Sequence, residues 1–362
     1  MAKTMADLYE KYKTRTTFDD EKLGYTSTGS VIFDQTLSLG KGMPNGVWIQ
    51  ITGDSGSGKT HIVLQTARSI CKTGKKVAYI DSEKGLNPSQ LKGLGLSEYV
   101  GTKFFPYPIT TFEEAEEVMD ASLDDKDLGL IVIDSITALI PEKMLETSVA
   151  KIEPGLKARC TGQFMEKYRG KVSYTESKPS VILINQKRVK FTLWQASVQD
   201  AGGNAQKFYN DIRIQIQAKK KLEHTVETLN GKEKVQYGVE NEIWAAKNRF
   251  APPFVKLPIT VLFGQGVSNL AAYKTVLMYL GVLKMSGAGF WKLKLPDQEE
   301  KGARGEDGCL DMIKANLSII KPYIEANGGI GSVGTSDEDT SESIDFDDSA
   351  DLEDLEALTL ED

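Results

Sequence analysis

Gly53-Asp54-Ser55-Gly56-Ser57-Gly58-Lys59-Thr60 constrains this chain more than any other stretch, because it follows the apolar run Val47-Trp48-Ile49-Gln50-Ile51-Thr52 and leads into Ile62-Val63-Leu64. A G-x(4)-G-K-[ST] pattern between a strand and a helix is a Walker A phosphate loop. Gly53, Gly56 and Gly58 permit a tight turn whose consecutive N–H groups face phosphate oxygens, backed by the positive end of the next helix. Lys59 then reaches the β- and γ-phosphates and the Thr60 hydroxyl ligates Mg²⁺, with His61 next in the cradle. The implied ligands are ATP and Mg²⁺.

Further strands supply acids at the same level. Val77-Ala78-Tyr79-Ile80 ends in Asp81-Ser82-Glu83, and a carboxylate at a strand's carboxyl end sits where open parallel sheets bind ligands. Glu83 is the candidate to polarise the attacking water. Leu128-Gly129-Leu130-Ile131-Val132-Ile133-Asp134 reads as a buried Walker B strand, placing Asp134 opposite Thr60 at the Mg²⁺ hydration shell. A third strand from Ser180 to Asn185 ends at Gln186, which can donate to a γ-phosphate and accept from water. These alternations predict an α/β fold around a central, mostly parallel, twisted sheet. Strand-like alternation from Asp211 to Phe263 extends it, with a hairpin excursion over His224 to Lys234. A helix over Leu270 to Leu280 and another over Leu310 to Glu325 follow.

Two regions look built for polyanions. Lys187, Arg188, Lys190, Phe191 and Trp194 mix cations with flat rings ahead of the loop-like Gly202-Gly203-Asn204. Cations that track phosphates beside rings that meet bases compose a single-strand binding loop; the alternative is a surface loop with its aromatics packed inward. Lys151, Lys157 and Arg159 flank Pro154-Gly155 in a second candidate loop. Lys247-Asn248-Arg249 interrupts the strand alternation with cations that are either a solvated face or an anion contact.

Charge is divided along the chain. The net formal charge is −7, yet Ser336 to Asp362 holds 13 acidic residues and no basic one, leaving 38 acidic against 44 basic residues before it. The body is mildly basic and its acid sits on a tail too poor in apolar residues to fold alone, either a solubilising appendage or a polyanion that competes with nucleic acid. Cys71, Cys160 and Cys309 form no C-x-x-C pair, which argues against a disulfide framework or zinc site. With only His61 and His224, Ser-His-Asp and histidine-metal chemistry are disfavoured, and both read otherwise as ordinary structural or surface histidines. No apolar run approaches the roughly 20 residues of a membrane helix, so the expectation is a cytoplasmic protein without a membrane partner.

In order and spacing these segments, with Gly202 to Tyr209 and Lys247 to Arg249, resemble the RecA family of recombinases and its phage counterparts such as UvsX, over about Ser27 to Tyr323. The resemblance implies a RecA-like ATPase core over residues 26–281, preceded by a short helical arm and linker over 1–25 and followed by a small α/β unit over 282–330 and an acidic disordered tail over 331–362. It implies a DNA-dependent ATPase that forms a helical filament on single-stranded DNA and pairs it with homologous duplex DNA, helped by a single-strand binding protein and a loader. Glu83 would be the catalytic glutamate and Gln186 the coupler of γ-phosphate to DNA. Phe191 would wedge between base triplets, and Lys151 to Arg159 would form the first DNA loop. Lys247 and Arg249 would reach the ATP of the adjacent subunit, with Lys207 and Phe208 at the same interface. Gln90 stands where bacterial members carry an adenine-stacking aromatic, and Arg249 where they carry lysine; the charged tail and compact C-terminal unit lean towards the phage branch. A hexameric helicase on the same core, or a filament-forming mediator that exchanges no strands, are the alternatives.

Overall fold

The computed structural model of the chain describes residues 4–12, 23–148, 153, 155–191, 196–200, 209–228, 231–287 and 289–327. Among the described residues, helices α1 (Met5–Tyr12), α2 (Val31–Ser38), α3 (Lys59–Lys72), α4 (Pro88–Gly93), α5 (Phe112–Leu123), α6 (Glu142–Glu146), α7 (Leu156–Tyr174), α8 (Asn269–Tyr279), α9 (Gly305–Ala315) and α10 (Leu317–Ala326) are interleaved with fifteen strands. The strands are β1 (Tyr25–Thr26), β2 (Met43–Pro44), β3 (Trp48–Gly53), β4 (Lys76–Asp81), β5 (Phe104–Tyr107), β6 (Leu128–Asp134), β7 (Ser180–Phe191), β8 (Ala196–Asp200), β9 (Ile212–Thr228), β10 (Gly231–Lys247), β11 (Leu257–Leu262), β12 (Gly266–Val267), β13 (Leu283–Ser286), β14 (Phe290–Leu293) and β15 (Lys301–Arg304). Every described residue belongs to one unit, Met1–Ser332.

The expected central sheet has the order β12-β11-β10-β9-β3-β7-β6-β4-β5, with β8 paired to β7. From β9 to β5 neighbouring strands run parallel, and β10, β11 and β12 continue the sheet antiparallel. Side chains alternate across a strand, so one run of apolar residues feeds two layers. Ile49, Ile51, Tyr79, Leu130, Val132, Ile182 and Ile184 pack with α2 and α3 on one face. Trp48, Ile80, Ile131, Ile133, Val181 and Leu183 pack with α5 and α7 on the other. The core on the first face continues without a break into Trp291 and Leu293 of β14 and Cys309, Ile313 and Ile320 of α9 and α10.

Local signals set the helix boundaries. A capping box starts α5, in which Thr111 Oγ1 accepts from the Glu114 N–H at 3.1 Å while the Glu114 carboxylate accepts from the Thr111 N–H at 2.9 Å. Ser268 caps α8 in the same sense. The single helix expected over Leu310 to Glu325 is instead two, divided at Asn316, whose side-chain amide donates to Met312 O at 2.7 Å and closes α9. The segment after Gln186 also differs from the expected loop. β7 continues through Phe191 and pairs with β8 from Lys187↔Asp200 to Phe191↔Ala196, a hairpin whose β-branched and aromatic content suits strand geometry.

At the amino end of the parallel strands a buried carboxylate ties three elements together. Asp211 accepts from both terminal nitrogens of Arg169 on α7 (2.5 and 2.7 Å), from Arg249 Nη1 at 2.9 Å and from the Trp48 N–H at 2.9 Å. Asp211→Ala strands the Trp48 N–H and two guanidinium groups beside it. We expect a loss of about 3 kcal/mol, the lower end for breaking a buried pair because both arginines are partly solvated, read as a fall in the urea unfolding midpoint.

Candidate functional site

Gly53 ends β3 at a point of close approach, where a Cβ would lie 2.8 Å from Ile216 O and 2.8 Å from Ser57 Oγ. Gly58, at φ 80°, precedes α3, so the helix opens directly behind the loop. Strand register brings the other candidates to this edge: Gly53 lies opposite Gln186 on β7, and Asp81 opposite Asp134 on the adjoining pair. Gly56, Gly58, Lys59, Thr60, His61, Asp81, Glu83, Gln90, Asp134 and Phe263 line a cleft of about 250 Å³.

The polar groups there are tightly organised. Lys59 Nζ folds over the loop onto Gly53 O (2.9 Å) and Asp54 O (2.7 Å). Thr60 Oγ1 donates to Asp134 Oδ2 at 2.9 Å, and the Tyr79 hydroxyl donates to the same oxygen at 2.7 Å. Burial pushes the Asp134 carboxyl up, against these two hydrogen bonds, with Glu83 and Asp81 adding to the rise. Tyr79 is held far above the usual phenol range, first by burial and then by Asp134. Asp81 accepts from the Gly85 and Leu86 N–H groups at 3.1 Å each, while the Ser82 and Glu83 N–H groups donate to Asp134 O at 2.9 and 3.3 Å. The turn carrying Glu83 is thus fastened to two neighbouring strands. Gln186 Nε2 donates to Glu83 Oε1 at 3.0 Å, joining the cleft to the root of the β7–β8 hairpin.

This donor set fits a nucleoside triphosphate with a hard divalent cation. A hydroxyl and a carboxylate already meet where Thr60 and Asp134 would share Mg²⁺, an all-oxygen arrangement that the ion favours. Ser57 Oγ is buried in the loop with no hydrogen-bond partner among the described residues, a polar atom left over in the cradle.

The remaining candidates lie elsewhere. Lys247 pairs with Arg213, itself opposite Gln50, so it sits on the sheet roughly 10 Å short of Gly53 along the strand direction. Burial, then Arg249, pulls the Lys247 ammonium below its ordinary range, and its Nζ donates to Asn210 O at 2.7 Å. Both Lys247 and Arg249 therefore face away from this chain's own phosphate loop. Lys157 and Arg159 belong to the first turn of α7 rather than to a loop: Lys157 Nζ donates to Thr137 O at 2.5 Å and Arg159 pairs with Glu153 at 2.8 Å. Lys187, Arg188, Lys190 and Phe191 are on β7. Lys151, Trp194, Gly202, Gly203, Asn204, Lys207 and Phe208 lie outside the described residues.

Three residues that line or brace the cleft carry no local sequence signal. Phe263 ends the run after β11 and meets the His61 ring at 5.9 Å, forming a flat wall beside the loop. Asn241 on β10, almost wholly buried, donates from Nδ2 to Ser57 O at 2.7 Å across 184 positions, a link with no local signal. Tyr79 was counted as apolar strand, which its ring is.

A glycine-rich loop at the carboxyl edge of a parallel sheet, faced by the strand-end carboxylates Asp134 and Glu83, defines an α/β protein with a cleft suited to an anionic ligand. The RecA N-terminal domain matches residues 14–268, and the chain belongs to the RecA family. It is 33% identical over 308 residues to the RecA protein of Methylobacterium radiotolerans, covering 84% of this chain and 80% of that one. It is 30% identical over 331 residues to that of Parvibaculum lavamentivorans (90% and 86%) and 30% identical over 302 residues to that of Lactococcus lactis subsp. cremoris (83% and 74%). A crystal structure of the RadB recombinase aligns with 67% of this chain and 98% of its own at 22% identity, with a TM-score of 0.47. Among the described residues no helix is long and apolar enough to cross a membrane.

Burial lowers the His61 pKa from the ordinary 6.5, and the Gly264 N–H donates to its Nε2 at 3.4 Å. As pH falls the unfolded chain takes up that proton first, so this share of stability is present above the unfolded value and lost below it. Between about pH 7.5 and about pH 5.5 the melting temperature of His61→Gln should therefore fall less than that of the wild type, since the carboxylates common to both cancel in the difference.

Proposed function

We propose that this chain is an ATP-dependent DNA strand-exchange protein, which assembles as a helical filament on single-stranded DNA and pairs it with homologous duplex. What carries the reading is the Gln186–Glu83 hydrogen bond, because one partner opens into the phosphate cleft and the other roots the hairpin bearing Lys187, Arg188, Lys190 and Phe191. Nucleotide chemistry and a basic, ring-bearing segment share a contact.

In this reading the loop N–H groups and Lys59 bind the triphosphate, and Thr60 and Asp134 hold Mg²⁺, which neutralises phosphate charge. Glu83 orients the attacking water and takes its proton; Gln186 shifts between Glu83 and the γ-phosphate and so reports the bound state to the hairpin. Phe263 offers the purine a face to stack on, in the absence of an aromatic at Gln90. Lys247 and Arg249, turned from their own cleft, would complete the site of a neighbouring copy and make turnover depend on assembly. Trp194, Gly202, Gly203 and Asn204 would continue the DNA-binding segment, Lys151, Lys157 and Arg159 would add a second contact, and Lys207 and Phe208 would meet the next subunit. A single-strand binding protein and a loader would serve the filament in a cytoplasmic setting, and the acidic tail with the compact C-terminal unit favours a phage origin.

Electron microscopy of the full chain on single-stranded DNA with a non-hydrolysable ATP analogue, paired with a displacement assay on homologous duplex, tests the proposal. Filaments and homology-dependent displacement are expected. Directional unwinding by rings would select the helicase instead, filaments without displacement the mediator, and a solitary chain indifferent to DNA would remove all three. Two variants separate the halves of the site: Lys59→Ala should abolish ATP turnover, while Phe191→Ala should retain nucleotide binding and weaken DNA binding by roughly 1 to 3 kcal/mol per lost stack.

A further inference from the structure

Tyr79 lies fully buried on β4, in a position where phenylalanine would fill the same space. Its ring packs against Phe104 at a centroid distance of 5.7 Å. A buried hydroxyl is costly unless hydrogen-bonded, and this one is directed at a single acceptor, Asp134 Oδ2. Tyr79 pairs with Val132 in the β4–β6 register, so Asp134 is its diagonal neighbour on the same face of the sheet. Thr60 Oγ1 reaches that same carboxylate oxygen from the start of α3.

Two donors converging on Oδ2 fix the plane of the carboxylate, which cannot turn without breaking both bonds. The donors differ in what else they can do. Thr60 stands in the cleft with lone pairs to offer a cation, whereas Tyr79 is enclosed in the core and, among the described residues, donates to Asp134 alone. We propose that Tyr79 is a positioning residue for the Mg²⁺ carboxylate: its hydroxyl anchors Asp134 Oδ2 so that the other oxygen is presented to a hydrated divalent cation. This rests on the reading of Thr60 and Asp134 as the Mg²⁺-holding pair.

The test uses the full-length chain, Tyr79→Phe and Asp134→Asn, with equilibrium binding of a fluorescent ATP analogue measured in EDTA and across a Mg²⁺ titration. Removing a partner that orients a metal-binding group commonly weakens metal affinity by 10–100-fold, so half-saturating Mg²⁺ for analogue binding should rise roughly tenfold in Tyr79→Phe. Its affinity in EDTA should match the wild type. An unchanged or lower half-saturation overturns the proposal, and so does a lowered melting temperature with an unmoved Mg²⁺ titration, which is the signature of a merely structural hydroxyl. If Asp134→Asn alters the Mg²⁺ dependence but Tyr79→Phe does not, only the role of Tyr79 falls. If the wild type shows no Mg²⁺-dependent binding, or Asp134→Asn leaves it intact, the metal-site reading falls and takes this one with it.

Discussion

The hydrogen-bond register of β3 against β7, and of β4 against β6, sets the geometry of the phosphate cleft. Gly53 opposite Gln186 and Asp81 opposite Asp134 are level only in this alignment, and a slip of one residue would turn each side chain to the other face of the sheet. The register is enforced from both sides, since alternate residues of the same strands are buried in two separate apolar layers. A core built on Ile, Val and Leu is thus what holds a handful of polar groups within hydrogen-bond reach. Polar cross-ties then finish the alignment: Asp81 and the Asp134 carbonyl fasten the Glu83 turn, and Asn241 braces Ser57 from the antiparallel side.

The opposite edge of the sheet is organised by a different interaction. Asp211 gathers Arg169 and Arg249 around one buried carboxylate, with Lys247 and Arg213 nearby, so positive charge exceeds negative there. A cluster of that sign is costly to hold together by itself, and its arginines add to the burial that already lowers the Lys247 pKa. Anionic company would relieve it. The cleft edge has more acids, for Asp134 is a carboxyl raised first by burial and further by its neighbours Glu83 and Asp81. The two ends of one sheet thus differ in character, acidic groups gathering around the Lys59 loop and basic ones around Asp211.

Much of this was legible in the sequence where a local signal exists. The glycine-rich turn before α3, the strand ending at Asp134 and the helix expected over Leu270 to Leu280 follow from glycine spacing, continuous apolar runs and period-3.6 patterning, and the structure has them within a residue of the expected bounds. The misreadings have physical causes. Cations and rings after Gln186 resemble a loop in composition, but ladder bonds to β8 extend the strand to Phe191. A helix-compatible run over Leu310–Glu325 conceals a break, because Asn316 turns its amide back onto Met312. Tyr79, Phe263 and Asn241 were missed for a common reason: their partners are 55, 202 and 184 positions away, and long-range pairs leave no periodicity behind. The interval for Phe263 is the separation of its ring partner His61.

The Gln186–Glu83 contact joins the two kinds of chemistry, and its weakness is informative. Both side chains are exposed, so the bond contributes about 1 kcal/mol at most, equivalent to a bias of about fivefold between made and broken forms. A rigid, buried link would need several kcal/mol to break and would not respond to a ligand. A triphosphate adds a second charged acceptor that competes with the Glu83 carboxylate for the Gln186 amide, and a modest difference between the two is enough to shift a bias this small. Gln186 is the last residue before the hairpin, in line with β7, so its rotation is felt where the strand leaves the sheet and no longer has β3 or β6 beside it. On the proposed reading, a marginal contact where β7 passes beyond β3 and β6 and pairs with β8 suits a nucleotide-set switch better than residues buried further down β7 would.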